Sequence, residues 1–116
     1  MQVIRFYTGN DGESHFEELK LPYEKIANAE RTAQQSATGI QFRRTSPGNF
    51  SDWHTAPRRQ YVITLEGQVE IGLGDGTKRI FKAGDVLLAD DRAGRGHTTR
   101  VVGNRPRVSI AIPLVD

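Results

Sequence analysis

Imidazole is the side chain with the widest chemical range in this sequence, and it occurs three times, at His15, His54 and His97. Imidazole changes its charge near neutral pH and is the commonest protein ligand of metal ions. The sequence contains no cysteine, which excludes disulfides, thiolate metal sites and a cysteine nucleophile. Any site must therefore combine at most three imidazoles with carboxylates, amides, hydroxyls and guanidinium groups.

The size and composition of the chain limit what can hold these groups. Its 116 residues are 36% hydrophobic and 26% charged, which fits a single folded domain over residues 1–116 and excludes a disordered chain. The formal net charge is only +2, so no nucleic-acid partner is expected. The N-terminus lacks the apolar core of a signal peptide, and no apolar run approaches the length of a membrane span. We therefore expect a cytoplasmic protein with no membrane partner.

Glycine and proline divide the chain into short segments with the composition of β-strands. Turn signals recur about every eight to twelve residues, which is typical of a sandwich or barrel and not of alternating strands and helices. The sequence therefore predicts an all-β fold. The predicted strands are Val3–Tyr7, His15–Leu21, Ile40–Thr45, Gln60–Leu65, Gln68–Leu73, Thr77–Phe81, Val86–Ala89, His97–Val102 and Val108–Leu114.

Two connections between these segments carry predictions of their own. Glu66 and Gly67 separate two strand-like segments, which predicts that Gln60–Leu65 and Gln68–Leu73 form a hairpin. Tyr23–Gln35 is rich in residues that favour helices but has no apolar stripe. A short helix or an ordered loop is therefore expected there, following the N-terminal strands.

The intervals that separate one histidine from the glycines around it match a known pattern. His54 follows Gly48 after five residues, and Gly67 follows Gln60 after six. This resembles the first motif of the cupin family, G-x5-H-x-H-x3-E-x6-G, with every interval matched. Ala56 stands in place of the second histidine, and Gln60 stands in place of the glutamate.

A looser match to the second cupin motif, G-x5-P-x-G-x2-H-x3-N, begins at Gly84. Gly94 and His97 supply the G-x2-H of that motif, and the interval before them is two residues longer than in the pattern. Arg92 replaces the proline, and Val101 replaces the asparagine. The histidine of each motif is thus retained, whereas other positions have changed.

The resemblance spans about residues 47–101 and is to small single-domain cupins. It implies a double-stranded β-helix, or jelly-roll barrel, that is often a homodimer and holds a small-molecule ligand or a metal in the barrel mouth. It also implies that His54 and His97 are the catalytic or metal-binding pair, with Gln60 as a third metal ligand. Divalent iron, manganese, nickel and zinc suit such a site.

Alternation along the strands predicts which neighbours share this pocket. If Gln60 points inward, Val62 and Thr64 do so as well, and His97 brings Thr99 with it. The opposite face of the first strand is apolar, so it needs cover from the N-terminal strand or from a second copy of the chain. The outward-facing residues of that strand are Tyr61, Ile63 and Leu65.

Side chains close to His54 are further candidates for binding a ligand. Trp53 precedes the histidine, and Arg58 and Arg59 follow it. An inward-facing arginine would suit a carboxylate or phosphate, because the guanidinium group binds either one through two hydrogen bonds. The predicted ligand-binding residues are Gln60, Arg58, Trp53 and Thr99.

The predicted metal site lacks the anion that usually compensates the charge of the cation, because Gln60 offers a neutral amide oxygen. A neighbouring strand or loop would have to restore this ligand, and no spacing argument favours one source over another. The residues that could supply it are Asp52, Asp90, Asp91 and His15.

Three functions from different classes therefore stay open. The first is a metal-assisted enzyme that acts on a small polar or anionic molecule. The second is a metal-free isomerase or lyase in which His54 or His97 is the general acid or base. The third is a ligand binder or sensor without catalytic activity, because the barrel alone does not define the chemistry.

Overall fold

The computed structural model describes residues 1–115 and shows twelve β-strands and no helix over that range. The all-β prediction is therefore confirmed, and the same residues contain no helix that is long and apolar enough to cross a membrane. The strands are β1 (Val3–Thr8), β2 (Ser14–Glu18), β3 (Glu24–Ile26), β4 (Ala29–Arg31), β5 (Gln41–Thr45), β6 (Phe50–His54), β7 (Gln60–Glu66), β8 (Gln68–Gly72), β9 (Lys78–Phe81), β10 (Val86–Asp90), β11 (His97–Val102) and β12 (Arg107–Pro113).

Two large sheets enclose the core, and β3 and β4 form a small third sheet. The strand order is β2-β1-β10-β7-β12-β5 in the first sheet and β6-β11-β8-β9 in the second. Apolar side chains of both sheets meet in one cluster, in which Phe6 and Leu87 come from the first sheet and Ile71 and Phe81 from the second. Such an arrangement is a jelly-roll barrel, so the fold implied by the resemblance is confirmed.

The alternation predicted along β7 is confirmed. Gln60, Val62 and Thr64 are buried, whereas Tyr61 and Ile63 between them are half-buried. Val62 belongs to the apolar core cluster, which places the inward face of β7 in the barrel interior. A polar residue at each end of this inward face is therefore enclosed in the barrel.

N-terminal residues cover part of the outward face of β7, as expected. Tyr61 shares a shallow depression with Val3, Leu21 and Gln34. Other apolar surface stays open, because Phe42 on the edge strand β5 is 71% exposed. The homodimer stays a prediction.

The predicted hairpin around Gly67 is wrong. β7 pairs with β10 and β12, whereas β8 pairs with β9 and β11 in the other sheet. The chain therefore turns a corner between sheets at Gly67, which has a φ of 73°. A Cβ atom at this position would collide with the carbonyl oxygen of Pro106, so the corner requires glycine. Glu66 and Gly67 resemble a hairpin turn because a corner and a turn both need this backbone conformation.

Of the two alternatives for Tyr23–Gln35, the helix is wrong. This segment instead forms the β3–β4 hairpin, whose two-residue turn contains Ala27 at a φ of 55°. Both strands are exposed along their length. Without an apolar face to bury, helical composition alone could not hold a helix here.

Asp85 fastens the N-terminus to the barrel. Its carboxylate accepts hydrogen bonds from the backbone N–H of Gln2 at 3.0 Å and of Lys82 at 2.8 Å, and from the Gln2 side-chain amide at 3.0 Å. Burial alone would raise the pKa of Asp85, but these donors outweigh it and hold the pKa below its usual value of 3.8. The charged form of Asp85 therefore stabilises the contact that brings β1 beside β10.

We predict that Asp85→Asn lowers the free energy of unfolding at pH 7 by about 1–2 kcal/mol, because the charged acceptor is lost. The contribution of Asp85 is complete above its unfolded pKa and is lost as the pH falls through the lower folded pKa. The difference between the two proteins in urea denaturation should therefore begin to shrink as the pH falls below about 4 and should continue to shrink as the pH passes through the lower folded pKa. Glu24→Gln, on the exposed strand β3, is the control and should match the parent chain at pH 7. An equal difference at every pH would contradict the prediction.

Candidate functional site

A cavity of about 310 Å³ lies between the two large sheets. Its walls are largely apolar, and polar side chains project into it from several strands. The lining residues include Phe6, Val62, Val69, Ile71, Leu87, Ala89 and Val101 among the apolar ones, and Arg43, His54, Gln60, His97, Thr99, Arg107 and Ser109 among the polar ones. An apolar cavity with a few convergent polar groups is the usual form of a small-molecule site.

The two motif histidines meet across neighbouring strands. His54 ends β6, His97 begins β11, and the two residues are directly opposite in the antiparallel pairing. Their ring centroids are 4.5 Å apart, because opposite residues of such a pair lie close together on one face of the sheet. His97 is 5% exposed, whereas His54 lies exposed at the cavity mouth. Strand β6 was not among the predicted strands, so this pairing was not foreseen.

Gly96 permits the close approach of these two strands. It has a φ of 81°, and a Cβ atom there would collide with the carbonyl group of His54. The backbone of β6 is thus packed directly against the residue before His97. The second glycine of the loop, Gly94, approaches Gly12 in the same way.

A buried carboxylate holds His97 in place. The Oδ2 atom of Asp91 lies 2.6 Å from Nδ1 of His97 and accepts a hydrogen bond from the Ser14 hydroxyl at 2.7 Å. Asp91 is 0% exposed, and its Oδ1 atom has no hydrogen-bond partner in residues 1–115. The ring of Phe6 packs edge-on against His97 at 4.8 Å. The imidazole is therefore held by an ionic group behind it and an aromatic wall beside it.

These contacts fix the tautomer of both histidines. An ionised carboxylate and a backbone carbonyl can only accept hydrogen bonds. Nδ1 of His97 therefore carries a proton toward Asp91, and Nδ1 of His54 carries one toward the carbonyl oxygen of Asp52, 2.7 Å away. The free lone pair of each neutral ring is consequently on Nε2, the nitrogen that these contacts leave available.

The structure brings Gln60 and Thr99 to the same cavity as the two histidines. Gln60 is 5% exposed, and its side-chain amide makes no hydrogen bond within the described part of the chain. Thr99 is the next inward-facing residue after His97, across a bulge in the pairing of β11 with β6. The polar atoms of both side chains are therefore placed to contact a molecule in the cavity.

Trp53 and Arg58 do not line this cavity. Trp53 stacks under the guanidinium of Arg95 at 4.3 Å, on the outside of the barrel. Arg58 lines a depression beside Pro113 that adjoins the cavity and shares Gln60 with it, and Arg59 forms an ion pair with Asp90 at 3.6 Å. Alternation along β6 explains the position of Trp53, because neighbouring residues of a strand point to opposite faces and Trp53 directly precedes His54.

Two other arginines reach the cavity, Arg43 from β5 and Arg107 from β12. The Nε and Nη2 atoms of Arg107 donate to the hydroxyl oxygen of Thr64 at 3.3 and 3.1 Å. Burial and the positive charge of Arg43 together lower the pKa of Arg107 to about 10. The cationic side of the cavity is thus built from residues that the sequence analysis did not select.

Alternation along the strands is the sequence signal for these arginines, because Arg43 and Thr45 share one face of β5 and Arg107 and Ser109 share one face of β12. No strand alternation or motif spacing in the sequence indicates the role of Asp91. It follows β10 in the loop that leads to His97, and only the fold shows that its carboxylate turns to Nδ1.

The residues present do not fit a resident divalent metal. No group of three or more His, Cys, Asp or Glu side chains in residues 1–115 is arranged to hold one. Of the proposed replacement ligands, Asp91 is bonded behind His97, Asp90 pairs with Arg5 and His15 bonds to Asp11. Two neutral imidazoles and the Gln60 amide supply no negative charge to compensate the cation.

Solved structures with similar folds support the barrel assignment. The chain is similar to the Cnp3 cupin domain of Schizosaccharomyces pombe, with a TM-score of 0.54, 11% identity, and 88% of this chain and 73% of that chain covered. A putative ethanolamine utilization protein Q of Salmonella typhimurium has a TM-score of 0.51 and 15% identity, with 100% and 98% covered. A conserved protein of unknown function from Streptococcus pyogenes has a TM-score of 0.52 and 18% identity, with 73% and 71% covered. No family model and no curated protein matches the chain.

The two sheets and the cavity between them define a jelly-roll barrel with a polar interior site. More specifically, this is a small protein of the cupin fold, as the two motifs implied and as the likeness to a cupin domain supports. The Gly48–Gly67 spacing places His54 at the cavity mouth, and the second motif places His97 inside it.

We predict that Gly96→Ala destabilises the protein and displaces His54, whereas Gly103→Ala has a smaller effect. Gly103 has a φ of 82° and open space where a Cβ atom would lie, so it carries only the left-handed backbone cost of about 1–2 kcal/mol. Gly96→Ala adds a collision with β6 that should cost a further 1–3 kcal/mol or so. Urea denaturation measures both values, and the His54 ring NMR signals should shift only in Gly96→Ala. Equal losses in the two variants would contradict the close-approach role.

Proposed function

We propose that this protein binds a small polar molecule in the barrel cavity and moves protons on it through His97 without a metal. The observation that carries the proposal is the fully buried Asp91 carboxylate, 2.6 Å from Nδ1 of His97. A carboxylate in this position orients an imidazole, fixes its tautomer and stabilises the imidazolium that forms when the ring accepts a proton. This arrangement favours the isomerase or lyase among the three functions left open by the sequence.

Asp91 prepares His97 to accept a proton at Nε2. Since Nδ1 is engaged by the carboxylate, a proton taken from the substrate enters at Nε2 and leaves a cation beside a buried anion. The low polarity of the surroundings, with Phe6 against the ring at 4.8 Å, strengthens that attraction. The Ser14 hydroxyl shares the same oxygen at 2.7 Å and holds the carboxylate in position.

His54 supplies a second imidazole at the entrance to the cavity. With centroids 4.5 Å apart, one ring can accept a proton from the substrate while the other, once protonated, returns one. The number of protons is then unchanged after each cycle, as an isomerisation or elimination requires. The exposure of His54 lets it exchange protons with water between cycles.

The binder without catalytic activity shares the cavity but makes no use of the stabilisation that the Asp91 carboxylate gives to a protonated His97. A binding site needs hydrogen-bond donors and acceptors, and a solvated histidine would provide them without a buried anion. Enclosing a carboxylate whose Oδ1 has no partner in residues 1–115 is costly. Buried carboxylates of this kind are typical of sites in which a positive charge develops beside them during a reaction.

We predict that the protein exchanges carbon-bound hydrogen of small hydroxycarbonyl compounds for deuterium in D2O, and that His97→Gln lowers the rate about 10²–10⁴-fold. Asp91→Asn should lower it by a similar factor, because an amide can donate to Nδ1 and favour the wrong tautomer. NMR spectra of dihydroxyacetone and hydroxypyruvate incubated with the protein provide the measurement. Chelator should leave the rate unchanged.

His15→Gln is the matched control, because it removes an imidazole that contacts Asp11 on the surface and lies outside the cavity. It should exchange deuterium at the rate of the parent chain. Exchange that stops with chelator and returns with a divalent metal would favour the metal-assisted enzyme instead. Saturable binding without exchange of any compound would favour the binder.

A further inference from the structure

Arg107 is a half-buried cation that has no anionic partner in the described residues. Its Nε and Nη2 atoms donate to the neutral hydroxyl of Thr64, and no carboxylate of residues 1–115 forms an ion pair with it. A guanidinium group has five N–H donors, so three are left for another acceptor. A charge that is partly withdrawn from water is normally paired, and the half-buried guanidinium group of Arg107 is paired only with a hydroxyl.

The nearest charge that acts on Arg107 is also positive. Arg43 lines the same cavity from the neighbouring strand, opposite Ser109, which is the next inward residue after Arg107. The only hydrogen bond of the Arg43 side chain among residues 1–115 goes to the Gln41 amide at 2.7 Å. Burial and this second cation lower the pKa of Arg107 to about 10, so the cation persists at neutral pH against two unfavourable effects.

Uncharged polar groups in the cavity are also without partners. Gln60 is 5% exposed and Ser109 is 2% exposed, and neither side chain makes a hydrogen bond within residues 1–115. Both line the cavity, and their polar atoms are not among the sealed, unpartnered side-chain atoms of residues 1–115, so a molecule in the cavity can reach them. A buried amide directed at the same space is an independent indication that this space receives a polar molecule.

Arg107 and the imidazoles are attached to different ends of the cavity. Arg107 is bonded to Thr64, and Thr64 is four residues along β7 from Gln60, or about 13 Å at the usual rise per residue. Gln60 pairs with Ala89 on β10, and Asp91 follows that strand and holds His97. A molecule that fills the cavity therefore meets Arg107 toward one end and imidazoles toward the other, and Arg43 also reaches the depression that contains Gln60.

We propose that Arg107 and Arg43 form an oxyanion subsite, which binds a carboxylate or phosphate group of the ligand on the side of the cavity formed by β5 and β12. Arginine suits this task because its planar guanidinium group makes paired, charge-assisted hydrogen bonds to either anion. The subsite deepens the proposed function. Anion binding itself does not depend on that function; only the statement that the bound ligand is the substrate rests on it. The subsite replaces Arg58 as the anion-binding arginine, since Arg58 lies outside the cavity.

The test is to titrate the full chain with inorganic phosphate, malonate and uncharged malonamide. Binding is measured by calorimetry and by the shift in melting temperature. Phosphate or malonate should bind and raise the melting temperature, whereas malonamide should not. A response to phosphate alone or to malonate alone identifies which anion the subsite takes. Arg107→Gln should weaken binding at least tenfold while melting no lower than the parent chain without anion, because it removes an unpaired, half-buried charge.

Arg44→Gln is the matched control, because Arg44 is the neighbour of Arg43 on β5, points to the opposite face and carries the same charge. It should retain the affinity of the parent chain. If Arg107→Gln fails to fold, Arg43→Gln serves instead, since Arg43 is exposed at the cavity edge, and it should weaken binding severalfold. Equal affinity in the parent chain and the folded variant, or no binding of either anion at millimolar concentration, overturns the proposal.

Failure of the subsite and failure of the proposed function give different results. His97→Gln should bind phosphate or malonate within twofold of the parent chain and lose deuterium exchange. Anion binding without deuterium exchange in the parent chain would support the subsite and contradict the proton-transfer function. Deuterium exchange without anion binding would support the proton-transfer function and contradict the subsite.

Discussion

A carboxylate that no water reaches must find its partners inside the protein, and Asp91 finds them on separate parts of the chain. Its Oδ2 atom contacts His97 and the Ser14 hydroxyl, and its backbone carbonyl accepts a hydrogen bond from the N–H of Ala56. One residue thus joins β2, the loop after β6 and the start of β11. Because an unpaired buried charge is strongly unfavourable, these segments must be in register for the barrel to be stable.

Charge is separated along the interior of the barrel. A buried anion supports the imidazole of His97, and two guanidinium groups on the neighbouring strands β5 and β12 line the same cavity without a carboxylate partner in residues 1–115. The small net charge of the chain, +2, does not indicate this arrangement, because a net charge does not report where the individual charges lie. A ligand that completes it needs a negative group and a polar, proton-exchanging group at a distance set by the length of β7.

Local patterns predicted those parts of the fold that depend on a single strand. Alternation located the inward face of β7, and motif spacing placed His54 and His97 at one cavity. The corner at Gly67 was taken for a hairpin because a left-handed glycine looks the same in both, and pairing partners tens of residues away decide between them. Asp91 and Arg107 were not selected for the roles that they have because their roles depend on which strands become neighbours.

The contact of Gln2 with Asp85 joins residues 83 positions apart, and β1 pairs in parallel with β10 through the same part of the fold. Contacts of such long range slow folding, because a large loop must close before they form. During synthesis at about 5–20 residues per second, β1 waits roughly 4–16 s for its neighbour β10 to be made. Ile4 and Phe6, both buried in the finished barrel, lack their partners on β10 throughout that interval, so β1 is open to chaperones and to premature association until β10 is made.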